Sequence, residues 1–346
     1  MLHGGDIYDK NNIEYDFSVN LNPLGCPSPV REAVLEAAVL SGRYPDYYQR
    51  AFKKAVAKAE GVEPSQVIGG NGASELLMSL VRMLKPKSAL IVTPGFSGYS
   101  HVLNSIKDCE SREYALSEDK DFKLDSGILK VITDDLSLVM LGNPNNPTGR
   151  YIRPALAEKI FNKCLETGTY LIVDESFHYL TKGSKSMVPH IDEYKGLFVI
   201  SSYTKLFSLP GARIGYCICA EENITGLKAF LPEWNMSIIA QRSGELCARL
   251  LRLTNYASET QREVSKERDF LSNELVKAGV RVFPSDTCFI MFYSKLPLYD
   301  LLLEKGILIR DLSTVPGLKN GYYRIAVKSH EENVVLIDML KELVSS

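Results

Sequence analysis

Four short segments hold most of the residues in this chain that could do covalent chemistry. Ser201-Ser202-Tyr203-Thr204-Lys205 ends a β-rich run with a lysine, and Arg213 follows eight residues later. A lysine whose pKa is lowered by burial and nearby positive charge attacks carbonyl groups. Ser202 and Arg213 are donors suited to a phosphate. Taken alone, such a lysine reads as a solvated or salt-bridged surface group; its neighbours are what argue for chemistry. Tyr170-Leu171-Ile172-Val173-Asp174-Glu175-Ser176-Phe177 sets a carboxylate at the end of an apolar strand. There Asp174 can cap the next segment or pair with a buried cation. Gly69-Gly70-Asn71-Gly72-Ala73-Ser74-Glu75 links a strand to a helix. Small residues let backbone N–H groups approach an anion, and the helix N-terminus adds a favourable dipole. A tight turn with Ser74 as helix cap fits the same residues. Asn143-Pro144-Asn145-Asn146-Pro147-Thr148-Gly149 is stiffened by two prolines and can aim an asparagine side chain, or serve only as a turn.

The elements that must position these groups alternate between strand and helix. Residues 67–70 precede a helical pattern over 74–84, and 89–93 precede another around 99–106. Residues 136–141, 170–173, 197–201 and 213–219 read as strands. Residues 154–166 read as a helix with Leu156, Ile160 and Cys164 on one face and Gly168 after its end. This alternation predicts a largely parallel sheet covered by helices on both sides. Each chemical segment then falls at the C-terminal end of a strand, the edge where ligands collect in open α/β sheets. After about residue 222 the pattern changes. Helical periodicity runs from 237 to 277, followed by strands over 280–292, 307–310 and 322–327 and a final helix to about 343. The division expected is an N-terminal arm (1–27) packing with the small domain, a large domain (28–222) and a smaller α+β C-terminal domain (223–346).

Composition excludes other classes of function. The 346 residues are 45% hydrophobic and 24% charged, which suits a folded globular chain. Lys plus Arg number 40 against 42 Asp plus Glu, leaving no basic excess for nucleic acid. No apolar run approaches the roughly 20 residues of a membrane helix. The opening Met1-Leu2-His3-Gly4-Gly5-Asp6 does not read as a signal peptide. Seven scattered cysteines without C-x-x-C spacing read as reduced thiols, which predicts a cytoplasmic protein. Five histidines show no metal-ligand spacing, so no metal is expected.

Together the four segments describe a site for pyridoxal 5'-phosphate, which needs a lysine for its aldehyde, an acid for its ring nitrogen and a cradle for its phosphate. Their order and spacing over residues 70–216 resemble fold-type I pyridoxal-phosphate enzymes of the aspartate-aminotransferase superfamily: Asn-Pro-x-Asn-Pro-Thr-Gly, then Asp-Glu-x-aromatic, then Ser-x-Thr-Lys with Arg at plus eight. The resemblance implies a large domain with a mostly parallel seven-stranded sheet between helices. It implies that Lys205 carries the cofactor and shuttles protons, and that Asp174 pairs with the ring nitrogen. Asn146 would bond the ring oxygen and Phe96 would stack on the ring. Gly72, Ala73, Ser74, Ser202 and Arg213 would hold the phosphate. Tyr44, in Arg43-Tyr44-Pro45-Asp46, would reach the phosphate in a neighbouring subunit, which implies a homodimer. Read singly, Phe96 and Tyr44 are equally well core residues.

Within that superfamily two subfamilies are most similar: histidinol-phosphate aminotransferases and the L-threonine-O-3-phosphate decarboxylases of cobalamin synthesis. Three segments favour the second. They are His3-Gly4-Gly5 with Asp16-Phe17-Ser18-Val19-Asn20-Leu21-Asn22-Pro23-Leu24-Gly25; Phe177, where most relatives carry tyrosine; and Ile307-Leu308-Ile309-Arg310 with Pro316-Gly317-Leu318 and Tyr322-Tyr323-Arg324. The resemblance implies a small phosphorylated amino acid as substrate, with His3, Asn20 and Arg310 on its phosphate and Arg324 on its carboxylate. Phe177 leaves Asn146 alone on the ring oxygen, which tells against a standard aminotransferase. A non-catalytic relative that senses an amine is the remaining class, and the intact Lys205 and Asp174 argue against it.

Overall fold

A sheet buried on both faces needs strands that are apolar at every position, and the central runs of this chain have that character. A computed structural model describes residues 4–10 and 12–345. Its strands are β1 (Tyr15–Asp16), β2 (Val67–Asn71), β3 (Ser88–Thr93), β4 (Glu110–Ala115), β5 (Leu138–Gly142), β6 (Tyr170–Asp174), β7 (Leu197–Ser202), β8 (Ile214–Cys219), β9 (Arg281–Val282), β10 (Phe289–Tyr293), β11 (Ile307–Leu308), β12 (Arg310–Asp311) and β13 (Tyr322–Ala326). Seven of them form one sheet in the order β2-β8-β7-β6-β5-β3-β4. All adjacent pairs are parallel except those made by β8, which is antiparallel to β2 and to β7. The mostly parallel sheet expected from the alternation is therefore present.

Side chains alternate between the two faces of that sheet with period two. Leu90 and Val92 of β3 join one hydrophobic core with Val139, Leu171 and Val173. Ala89 and Ile91 join the other with Met140, Ile172 and Phe198, beneath the helices Ala73–Leu84 and Ser97–Leu103. A separate antiparallel sheet, ordered β12-β13-β10-β9, lies in the C-terminal third. Its core includes Ile290, Phe292, Ile325 and Leu336. The N-terminal arm joins this region. Tyr15 and Asp16 pair in parallel with Ile307 and Leu308, and the Ala326 amide donates to the Phe17 carbonyl at 2.8 Å.

Several boundaries differ from the sequence pattern. The helical stretch 237–277 is two helices, Ile238–Leu253 and Tyr256–Lys277, because Thr254 is extended (φ −129°, ψ 170°). Residues 280–292 turn back on themselves as β9 and β10 across Pro284-Ser285-Asp286. Residues 307–310 divide at Ile309 between two sheets. Arg213 lies just outside β8, in the left-handed region at φ +54°. The edge strand β4 escaped notice because it is polar: Arg112 bonds Glu110 and Asp135 along the rim, which protects an exposed edge. Helices at Ser28–Val39, Arg50–Glu60 and Glu221–Lys228 were likewise unanticipated. Among the described residues no helix is long and apolar enough to cross a membrane.

Candidate active site

Parallel neighbours β5, β6 and β7 end side by side, so Gly142, Asp174 and Ser202 deliver their following loops to one edge. A cavity of about 250 Å³ opens there. The structure brings into it Ala73, Ser74, Phe96, Asn146, Asp174, Ser202, Lys205 and Arg213, and from the arm and the small sheet Asn20, Arg310 and Arg324.

Lys205 sits on a single helical turn, Tyr203–Leu206, capped by the Ser202 hydroxyl, which accepts from the Thr204 amide. Burial, the Arg324 guanidinium and the Arg213 guanidinium lower its pKa to about 8, so an appreciable fraction is neutral near physiological pH. Its Nζ lies 5.8 Å from the centre of the Phe177 ring. Asp174 is 9% exposed. Burial raises its pKa, and three donors oppose that rise. Ser176 gives Oδ1 both its amide (3.0 Å) and its hydroxyl (2.6 Å), and the Tyr99 hydroxyl reaches Oδ2 at 3.2 Å. The lysine and the acid therefore share one cavity without forming an ion pair.

Of the three asparagines in the proline-rich loop, only one faces the cavity. Asn143 Oδ1 accepts from the Ile152 amide at 2.9 Å. Asn145 donates to the Pro94 carbonyl at 2.9 Å and to the Thr148 hydroxyl at 3.0 Å. Asn146 instead accepts from Arg324 Nη1 at 2.6 Å, which leaves its NH₂ available. The loop is thus both a structured turn and a device that aims one amide.

The helix Ala73–Leu84 begins with Gly72 in the cap position (φ +78°) and no side chain bonded to its first turn, so Ser74 is not its cap. Gly72 does not line the cavity, but it makes room for a group that does: a Cβ there would stand 2.3 Å from Arg213 Nη2. Gly215 serves likewise, since a Cβ there would stand 2.6 Å from the Ala73 amide nitrogen. Arg213 is held by the Pro210 carbonyl at 3.1 Å and pairs with no carboxylate among the described residues. The Ser202 hydroxyl donates to the Ile214 carbonyl at 2.7 Å, so it meets a ligand as part of a linked pair with Thr204.

Arg310 and Arg324 face each other across β12 and β13. Each is 8% exposed, and neither forms an ion pair with a carboxylate among the described residues. Arg324 Nη2 donates to the Ser18 carbonyl at 2.6 Å, while its Nε has no partner. Burial and the Arg310 charge depress the Arg324 pKa, and burial depresses that of Arg310. Asn20 is 3% exposed with an unpartnered Oδ1. Four cations, with the free Arg324 Nε and Asn146 NH₂, converge on one cavity and make an anion site.

Tyr44, expected to reach the site of a neighbouring subunit, does not line this chain's cavity. Tyr44 is 81% exposed and packs on Trp234, ring centres 4.9 Å apart. His3 lies outside the described residues; Gly4, next in sequence, does line the cavity. Tyr99 and Ser176 line it too and were not foreseen. Ser176 had a readable signal, two residues after an aspartate where an Asx turn forms. Tyr99 had none.

This fold and this cavity define a fold-type I α/β enzyme that works with pyridoxal phosphate, and the residues fit that cofactor: an amine and a carboxylate in one cavity, an uncapped helix N-terminus, and an arginine without an acid partner. The chain belongs to the aminotransferase class I and II family, whose model matches residues 13–340. It is 29% identical to the threonine-phosphate decarboxylase of Salmonella typhimurium strain LT2, over 99% of this chain and 96% of that one. It is 33% identical to the histidinol-phosphate aminotransferase of Thermoanaerobacter pseudethanolicus, over 99% and 97%. The crystal structure of the histidinol-phosphate aminotransferase from Clostridium acetobutylicum matches it with a TM-score of 0.86 at 30% identity, covering 95% of this chain and 98% of that one.

Proposed function

We propose that this chain decarboxylates L-threonine O-3-phosphate to (R)-1-amino-2-propanol O-phosphate for cobalamin (vitamin B12) synthesis. The Arg310–Arg324 pair carries the reading. Two buried guanidiniums set opposite each other, with no ion pair to a carboxylate among the described residues, destabilise the fold. A small amino acid with a carboxylate at one end and a phosphate at the other supplies both missing anions. Phe177 supports the same reading, because it offers the ring oxygen no second donor beside Asn146.

Pyridoxal phosphate, when bound, supplies an aldehyde for the substrate amine and a conjugated ring that accepts the electron pair left when a bond at Cα breaks. The protein's part follows from its own groups. Asp174 would hold the ring nitrogen's proton, the Asn146 NH₂ would bond the ring oxygen, and Phe96 would cover the ring face. The Ala73 and Ser74 amides, the Ser202–Thr204 hydroxyl pair and Arg213 hold the cofactor phosphate, with Gly72 giving Arg213 its space. Arg310, Asn20 and His3 would bind the substrate phosphate, and Arg324 would hold the carboxylate in a fixed orientation. Charge-assisted contacts of this kind contribute about 1.5–3 kcal/mol each, and orientation decides which Cα bond breaks. The Cα–carboxylate bond breaks, carbon dioxide leaves, and one proton enters at Cα, delivered from Lys205 Nζ. Tyr44 completes the phosphate site of a second copy, so a homodimer is part of the proposal.

A second reading, transamination of histidinol phosphate, is favoured by the 33% identity to an aminotransferase of that name. A paired assay separates the two. The loaded enzyme is given O-phospho-L-threonine and carbon dioxide is collected; in parallel it is given histidinol phosphate with 2-oxoglutarate and glutamate is measured. Gas from the first mixture supports decarboxylation. Glutamate from the second with no gas from the first decides for the aminotransferase.

A further inference from the structure

We propose that Tyr99 and Ser176 are positioning residues that fill three of the four acceptor sites of the Asp174 carboxylate and thereby leave one, on Oδ2, for the cofactor's ring N–H. The inference rests on the reading of Asp174 as the ring-nitrogen partner and extends it to residues that reading does not use. An ionised carboxylate has two lone-pair sites on each oxygen. Oδ1 accepts twice from Ser176, from the amide at 3.0 Å and the hydroxyl at 2.6 Å. Oδ2 accepts once, from the Tyr99 hydroxyl at 3.2 Å.

The two donors arrive from different elements. Ser176 lies in the segment that follows β6, while Tyr99 comes from the helix Ser97–Leu103. Tyr99 is 3% exposed and its ring packs edge-on against Phe96 at 5.5 Å, so its hydroxyl has little freedom. The residue that covers the ring and the residue that fixes the acid are thus one packed unit three positions apart. Donors to the charged form keep a buried carboxylate ionised, and they also fix its plane. Lys205 faces the same carboxylate from the helical turn Tyr203–Leu206. Glu175, the adjoining carboxyl, is turned away onto Ser186 and the Met187 amide, and burial raises its pKa to about 8. Tyr99, Lys205 and Glu175 each act electrostatically on Asp174, and the Arg213 and Arg324 guanidiniums line the same cavity.

The consequence is electronic. Removing a donor raises the proton affinity of Asp174, so the proton shared with the ring nitrogen moves toward the acid. The ring carries less positive charge, and the apparent pKa of the bound cofactor's visible absorption band rises. A lost bond to a charged group is worth about 1–2 units on the acid itself, and the band's titration moves in the same direction.

The test uses the cofactor-loaded protein and its Tyr99→Phe, Ser176→Ala and Ser176→Thr variants. The visible band is titrated between pH 5 and 10, and thermal unfolding of each cofactor-free protein is recorded. Tyr99→Phe and Ser176→Ala are expected to raise the apparent pKa, while Ser176→Thr, which keeps the hydroxyl, titrates like the wild type. A lowered melting temperature with an unmoved band would show that the two residues are merely structural and would overturn the inference. A wild-type protein with no Lys205-dependent band would instead overturn the underlying reading of the site.

Discussion

Replacing Arg310 by methionine should make the empty protein more stable and its reaction worse. The side chain is 8% exposed, stands across from Arg324, and forms no ion pair among the described residues, with a coulombic interaction from Asp311 opposing its burial. Like charges directly opposed across antiparallel strands destabilise a sheet, on the order of 0.2–1 kcal/mol per pair. Methionine keeps most of the apolar stem's packing while removing the charge. The cofactor-free variant should therefore gain about 0.2–1 kcal/mol, or roughly 0.3–1.4 °C in melting temperature. The same change deletes charge-assisted bonds to the substrate phosphate worth about 1.5–3 kcal/mol each, which raises KM about 10- to 200-fold. Differential scanning fluorimetry of the empty protein and steady-state kinetics with O-phospho-L-threonine read the two effects separately. Inorganic phosphate should stabilise the wild type more than the variant, because only the wild type keeps both cations. A variant that melts several degrees lower with KM unchanged would refute the reasoning, since Arg310 would then be a structural residue.

Lys205→Ala should bind pyridoxal phosphate without the visible band of the wild type and lose turnover by several orders of magnitude; an active variant would remove the lysine from the chemistry. Lys205 also couples pH to stability. Its pKa is about 8 in the folded chain against an ordinary value of 10.5, so between those pH values the unfolded chain binds more protons, and stability rises with pH. Urea unfolding of the cofactor-free wild type and of Lys205→Met should show the wild type gaining on the variant from pH 8 toward 10.5; parallel curves would contradict the burial of that amine. Tyr44→Ala should weaken cofactor retention and leave the fold intact, and sedimentation of the wild type should give a dimer; a fully active monomer would remove Tyr44 from any shared site.

The alternation of strands and helices was legible because strands buried on both faces must be apolar throughout. Residues 138–142, 171–173 and 197–200 satisfy that requirement. Lys205, Asp174 and Asn146 were legible because each follows such a strand in a segment with few other uses. β4 was not, because an edge strand needs no apolar face and this one exposes Glu110 and Ser111. The break at Thr254 was hidden by uninterrupted helical periodicity on either side. Asn146 could be singled out from its neighbours only in three dimensions, where Asn143 and Asn145 bond the backbone of Ile152 and Pro94. Tyr99 meets Asp174 across 75 residues, a contact no local pattern encodes. The Arg310–Arg324 pairing needed the register of β12 on β13, which depends on the chain dividing at Ile309.

The central claim is that the carboxylate, not the Cα hydrogen, leaves the substrate. Proton NMR of O-phospho-L-threonine turned over in deuterium oxide tests it most directly. The account predicts 1-amino-2-propanol phosphate carrying one deuterium at the carbon that held the carboxylate, formed in step with carbon dioxide. A product that keeps its carboxylate and loses its amine to 2-oxoglutarate would contradict it.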